Sequence, residues 1–336
     1  MVERFTASAG RQLVGVVLVV VASFAFGTSG AFAKSLLHAG WSPGGVVTWR
    51  VVLAAVVMVP VAGYAVRGQW ALVRRNWVQI LVFGLVAVAG CQFAYFNAVE
   101  RLSVAMALLL EYSGVVLVVF WAWLVRGQRP HRLTVAGMVL AVVGLLFVLQ
   151  VFSGLHLSWL GVAWGLLAAS GLATFYLMAS HEHGDSLSPI TLAGFGLGVG
   201  AVVLIACAGL GHIDYTTARE AVSIGGFLAP WWVPVAELSL VAAALAYGVG
   251  VVGTRMAGAT VSSFVGLTEV LFAILIAWLV LGELPTWGQL GGAVLVLAGV
   301  VAVRIGEARV VSGEPVVVEL PVGPTEESGR HTVPIS

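Results

Sequence analysis

The chain has 336 residues, 60% hydrophobic and 9% charged, with 42 glycines and a formal net charge of +1. An ordinary soluble domain carries about 25% charged residues, so 15 acidic and 16 basic side chains cannot clothe a soluble surface of this length. The near-neutral balance excludes a basic nucleic-acid binder. The two cysteines, Cys91 and Cys207, lie inside apolar runs, leaving no disulfide scaffold and no CxxC metal site. What remains is an all-α polytopic membrane protein, in which abundant glycine serves close helix contact.

A bilayer core about 30 Å thick takes roughly 20 apolar residues of helix. Ten segments meet that length: 12–33, 45–66, 77–98, 103–125, 133–152, 158–178, 190–210, 236–256, 259–281 and 286–305. The first ends in Ala31-Phe32-Ala33, which resembles a signal-peptidase site. Its length and its counterpart later in the chain argue for retention. The second carries Arg50, placed either to snorkel to the interface, to attract an anionic group or to pair with Glu111. Trp49 beside it reads as an interface anchor. In the third, Gln92 and Tyr95 stand three residues apart and Gln92 and Phe96 four apart, so they share a face. That face could line a solute path or only bond neighbouring helices.

The fourth segment holds Glu111 near mid-depth, and the ninth holds Glu269. A charge near the bilayer centre costs about 2.5–3.5 kcal/mol on insertion scales, so such groups usually face a cavity or a partner. These two glutamates are candidate proton carriers; the plainer reading is a buried structural carboxyl. His181-Glu-His-Gly-Asp185, between segments six and seven, fits no zinc spacing and reads as a solvated turn. In segment seven Gly194 and Gly198, and Gly196 and Gly200, form GxxxG contacts rather than a dinucleotide loop. Residues 211–235, with Pro230, Trp231, Trp232 and Pro234, read as an interfacial turn. Segment eight offers Tyr247 as the rough counterpart of Gln92 or Tyr95. Residues 306–336 carry four prolines and scattered charge and read as a disordered cytoplasmic tail.

Cytoplasmic loops collect Lys and Arg. Counting from a cytoplasmic N-terminus puts Arg4, Arg11, Arg67, Arg74, Arg75, Arg126, Arg129, Arg132, Arg255, Arg304, Arg309 and Arg330 on that side and Lys34, Arg101 and Arg219 on the other. Both termini are then cytoplasmic, in the inner membrane. The two halves also match. Gly15-Val16 pairs with Gly161-Val162, Pro43 with Pro189 and Gly63 with Gly209, all 146 residues apart. Gly127-x-x-Pro130 pairs with Gly282-x-x-Pro285, Gly137 with Gly292 and Gly144 with Gly299 at 155, the longer 211–235 loop absorbing the difference. Each half holds five helices. Five is odd, so the second half enters from the opposite side, giving two inverted five-helix repeats at 12–152 and 158–305. Inverted repeats are a transporter architecture, with the site near midplane at the repeat interface.

The chain resembles the drug/metabolite transporter superfamily, specifically its ten-helix members with two EamA domains, over roughly residues 12–305. The strongest likeness is Leu267-Thr-Glu-Val-Leu-Phe-Ala-Ile-Leu-Ile-Ala-Trp-Leu-Val-Leu-Gly-Glu-Leu-Pro285, matched in the first half by Leu110-Glu-Tyr-Ser-Gly-Val-Val116 closing at Gly127-Gln-Arg-Pro130. Val115 stands where the family often has Pro, and Gln128 where it often has Glu. The resemblance implies transport of a small solute, often export. With the residues above it gives a secondary transporter working by alternating access, with Glu111, Glu269, Gln92, Tyr95, Phe96, Tyr247 and Arg50 around the cavity. No cofactor is called for, and no Walker A loop implies ATP. The partners are a small-molecule solute and the bilayer, and the oligomeric state stays open. An intramembrane enzyme would need a base, and no His lies well inside a span. A receptor or scaffold would need extramembrane domains, and a channel a ring of like polar groups.

Overall fold

The computed structural model describes residues 2–101, 104–126, 131–148, 158–181, 186–281, 284 and 286–311. The Gly127–Pro130 turn, Gly282, Glu283 and Pro285 of its counterpart, residues 182–185 of the His-rich loop and residues 312–336 of the tail lie outside that set.

Every predicted apolar segment is helical where described. The first two are α1 (Val2–His38) and α2 (Pro43–Ala65), followed by a short α3 (Trp70–Arg75). The third is composite: α4 (Trp77–Val82), a π-helical stretch π1 (Phe83–Gly90) and α5 (Cys91–Arg101). The fourth is α6 (Val104–Tyr112) and α7 (Gly114–Arg126), and then come α8 (Arg132–Val148), α9 (Trp159–Ala179) and α10 (Pro189–Gly209). Two strands, β1 (Val222–Ile224) and β2 (Phe227–Ala229), precede the eighth segment, again composite: α11 (Trp232–Ala236), π2 (Glu237–Leu245) and α12 (Ala246–Ala257). The ninth is α13 (Ala259–Gly266) with α14 (Thr268–Leu281), and the last is α15 (Trp287–Val311). Seven helical runs are long and apolar enough to cross a membrane, and three more, Leu110–Val125, Arg132–Phe147 and Trp287–Val303, are shorter. α15 continues six residues past the predicted end at 305, because no Pro, and no Ser-Gly pair before Ser312-Gly313, interrupts it.

The duplication is visible in local detail. Ser42 and Ser188, 146 residues apart, each precede a proline at the first helical position and accept the N–H three residues on, from Gly45 at 3.1 Å and Thr191 at 3.2 Å. Proline there has no N–H to waste, and the serine satisfies one of the open donors. π1 and π2 fall at matching places in the third and eighth segments. The fourth and ninth segments break at matching places too. Ser113 Oγ donates to Leu110 O at 2.5 Å and Thr268 Oγ1 to Val265 O at 2.7 Å, both partners shifted by 155. A hydroxyl that back-bonds to the previous turn bends a helix. The fourth segment therefore breaks without the proline that Val115 replaces.

α8 and α15 show how the halves meet. A Cβ on Gly137 would stand 2.7 Å from Gly299 O, one on Gly299 2.6 Å from Gly137 O, and one on Gly144 2.7 Å from Gly292 O. Gly137 thus faces the counterpart of Gly144, and Gly144 faces the counterpart of Gly137. Such a swapped pairing is the mark of a two-fold contact, and it makes the two equivalent helices antiparallel. Small residues do the same elsewhere, since in lipid helices associate by close packing. Gly194 and Gly198 abut Met58, Val59 and Ala62 of α2, while Gly196 and Gly200 abut Phe83 and Val88 of π1. The two GxxxG pairs wedge α10 between its neighbours.

The 211–235 segment, expected as a plain turn, is more ordered. β1 and β2 pair antiparallel through Gly225-Gly226 at φ 59° and 87°, as a two-residue hairpin turn of this twist requires. The preceding stretch docks on the start of α2. Ser42 N donates to Thr216 O at 3.0 Å, Ser42 Oγ to Asp214 O at 2.8 Å, and Trp41 Nε1 to Ala218 O at 2.8 Å. This covered end of the bundle is the loop face; α7 and α9 end at the opposite face.

Candidate functional site

Polar groups collect where both composite segments and both broken helices come together. α2 delivers Arg50, which is only 6% exposed. It does not snorkel. Nη2 donates to Ala242 O within π2 at 2.8 Å, and Nη1 to Gln92 Oε1 at 3.4 Å. π-turns recur at functional sites, and here Gln92, just after π1, and Ala242, within π2, bracket the guanidinium. Gln92 Nε2 in turn donates to the Tyr247 hydroxyl at 3.4 Å. These two residues are 155 apart, so each meets its own counterpart from the other repeat. Tyr247 also donates to Ala87 O at 3.5 Å, and its ring takes edge contacts from Phe26 and Phe175 at 5.3 and 5.7 Å.

The carboxyls sit beside the helix breaks. Glu111 is two residues before Ser113, and its Oε1 accepts from the Cys91 thiol at 3.4 Å. Glu269 follows Thr268 directly. The two carboxyls are within electrostatic range of each other and of Arg50, and Tyr112 lies beside Glu269. Tyr95 is half-buried in the same field, its ring against Phe96 at 5.4 Å. Phe96 otherwise packs on the apolar core. Trp49 turns from Arg50 toward Trp231, at 6.3 Å, and completes an aromatic group with Trp41.

Sequence reasoning missed three participants. Glu237, at the start of π2, is the second residue of the predicted eighth segment, where a charge calls for no partner. In the fold Thr28 Oγ1 donates to its Oε1, its Oε2 is buried without a hydrogen-bond partner, and Arg50 is within electrostatic range. Tyr176 reaches the α13–α14 break, where its hydroxyl lies against Gly266. Cys91 looked like a core thiol and bonds a carboxyl. No ion pair links Arg50 to any of the three glutamates among the described residues. This polar cluster holds one guanidinium and three carboxyls, Arg50 bonded to Ala242 O and Gln92, Glu111 to Cys91 and Glu237 to Thr28. Nor do any three described His, Cys, Asp or Glu side chains group so as to hold a metal ion.

Beyond the Ser113 break a crevice of about 930 Å³ opens toward the opposite face. Leu117, Trp121, Ala173, Thr174, Leu177 and Gln79 are among the residues lining it. Nearer the loop face the same helices touch: a Cβ on Gly165 would stand 2.6 Å from Leu110, and one on Gly114 would collide with Ala169 O.

The chain is similar to known proteins over most of its length. A solved structure titled only "Crystal structure of protein" superposes with a TM-score of 0.70 at 18% identity, over 89% of this chain and 98% of its own, and shows the fold. The uncharacterized inner membrane transporter YicL of Salmonella typhimurium is 22% identical over 304 residues, 88% of this chain and 96% of that protein. The threonine/homoserine exporter RhtA of Escherichia coli K12 is 26% identical over 311 residues, 91% and 95% of the two chains. An uncharacterized transporter of Archaeoglobus fulgidus is 26% identical over 226 residues, 67% and 75%. The model of the EamA-like transporter family matches twice, at residues 13–150 and 159–305. A duplicated domain, apolar helices and a buried polar cluster between the copies have one common meaning: the chain belongs to the EamA-like transporter family and is a multi-pass membrane transporter.

Proposed function

We propose that the protein is a secondary transporter of the inner membrane that exports a small metabolite or amino-acid-like solute by alternating access. Ten spans would form two inverted five-helix repeats, residues 12–152 and 158–305, with both termini and the crevice face cytoplasmic. The uneven distribution of Lys and Arg supports that orientation. The likeness to a threonine/homoserine exporter supports the solute class and the direction.

The observation that carries the reading is the meeting of Gln92 with Tyr247 beside the buried Arg50. A polar site on the axis relating two antiparallel repeats is reached from either face by the same motion of one repeat against the other. Arg50 would take an anionic group of the solute. Glu111 and Glu269, beside the helix breaks, would exchange a proton or a cationic group as the breaks move. The test is flux in proteoliposomes over an amino-acid and metabolite panel including threonine and homoserine, with and without a pH gradient. Glu111→Gln and Glu269→Gln are expected to abolish stimulation by the gradient. Gradient-stimulated flux that survives both substitutions would remove the proton-carrier role. Folded protein that moves no solute would remove the transport reading.

A further inference from the structure

The two repeats are alike, but the structure is not symmetric, and the difference lies in one pair of helix contacts. At the 146 and 155 offsets, Ser170, Ala173 and Thr174 of α9 correspond to Phe24, Gly27 and Thr28 of α1, and Leu117 of α7 to Phe272 of α14. The α7–α9 pair touches at Gly114 and Ala169 and parts beyond them to form the crevice. The α14–α1 pair is shut. Phe24 and Phe272 pack edge to face at 5.4 Å, and a Cβ on Gly27 would stand 2.9 Å from Glu269 O and from Phe272 Cβ. Ala31, the counterpart of crevice-lining Leu177, is 6% exposed.

One polar contact accompanies the closed pair. Thr28 Oγ1 donates to Glu237, sharing its hydrogen with Ala25 O at 2.7 Å. On the open side the counterpart Thr174 donates to Ser170 O, at 2.7 Å, and the positions matching Glu237 at the two neighbouring offsets are Val82 and Phe83. No carboxyl is available there to repeat the contact.

We propose that Thr28 and Glu237 latch the loop-face gate formed by Phe24, Gly27 and Phe272, and that this one-sided latch tilts an otherwise balanced pair of conformations toward the state open at the opposite face. Thr28 and Glu237 are positioning residues: they act on which face is open, not on the solute. The proposal rests on the transporter reading. Two states related by pseudo-symmetry would otherwise lie close in energy. A hydrogen bond to a carboxylate made in only one of them shifts the ratio by about 10- to 100-fold, or about 1.4–2.8 kcal/mol at 1.4 kcal/mol per decade, within the range of hydrogen bonds to charged groups.

The test reads accessibility, so it needs no known solute. Ala31→Cys is introduced and labelled in sealed vesicles from the loop face with a membrane-impermeant maleimide, the increment over the parent protein with Cys91 and Cys207 being measured. Leu177→Cys is labelled from the opposite face. Thr28→Val or Glu237→Ala is expected to raise Ala31→Cys labelling at least tenfold without raising that of Leu177→Cys, and Thr28→Ser to restore the original rate. Unchanged Ala31→Cys labelling in both variants overturns the latch, as does an equal rise at both faces, which would mean general loosening. Gated labelling in a protein that moves no solute would leave the gate standing and defeat the transport reading instead.

Discussion

The crossing of α8 and α15 gives a prediction whose size follows from the geometry. Gly137→Ala puts a methyl 2.7 Å from Gly299 O, 2.8 Å from Val303 N and 2.9 Å from Ala302 Cβ. Carbon contacts below 3.0 Å are not tolerated, and ordinary contact begins near 3.4 Å, so the helices must separate by about half an ångström or more. Two of the three obstacles are backbone atoms, so no rotamer change relieves them. Overpacking of this kind costs about 1–3 kcal/mol, and the lost contact is not offset by hydrophobic burial in a lipid environment. Gly299→Ala meets Gly137 O at 2.6 Å and should cost as much. One separation relieves both clashes, so the double variant should cost clearly less than the sum of the singles. The measurement is thermal unfolding of purified protein in detergent, monitored by size-exclusion chromatography after heating. A neutral Gly137→Ala, or strict additivity in the double variant, would refute the swapped glycine contact.

Two further outcomes test other parts of the fold. Ser42→Ala removes the cap of α2 together with the bonds to Asp214 and Thr216; it is expected to cost about 1–2 kcal/mol and to speed proteolysis within 211–221, and an unaltered cleavage rate would count against loop docking. A double-mutant cycle of Gln92→Leu and Tyr247→Phe should show a coupling of about 0.6 kcal/mol, the usual size for polar contacts between membrane helices, whereas zero coupling would mean that the 3.4 Å contact carries no energy.

Much of this arrangement was legible in the sequence because membrane helices obey few rules. The apolar segments, the 146 and 155 offsets and the paired glycines of segment seven all follow from length, hydropathy and small-residue spacing; the segments are helical where described, seven of the runs long enough to span, and the offsets and glycine pairs recur in the contacts. Arg50, Glu111 and Glu269 stand out in the sequence because each is a charge isolated in an apolar run, and the fold brings them within electrostatic range of one another. Glu237 escaped because it stands at the end of a run, where a charge needs no explanation; only the π-turn and the depth at which α1 presents Thr28 bring it indoors. The π-turns leave no periodic trace in segments apolar on every side. Arg50 read as a snorkelling group because depth alone cannot reveal a carbonyl from a distant helix, that of Ala242, waiting at 2.8 Å. The break at Ser113 was hidden by the absence of proline, although Ser113 and Thr268 are equivalent and both hydroxylated.

The contact between Gln92 and Tyr247 has a consequence for molecular handedness. A position on an axis is supplied once by each half, so identical residues there would offer a solute the same chemistry at both ends. An amide facing a phenol is different. It gives the centre a head and a tail while the surrounding helices keep their near-equivalence. A solute held there would be read in one orientation, and would keep that orientation while the scaffold turns about it.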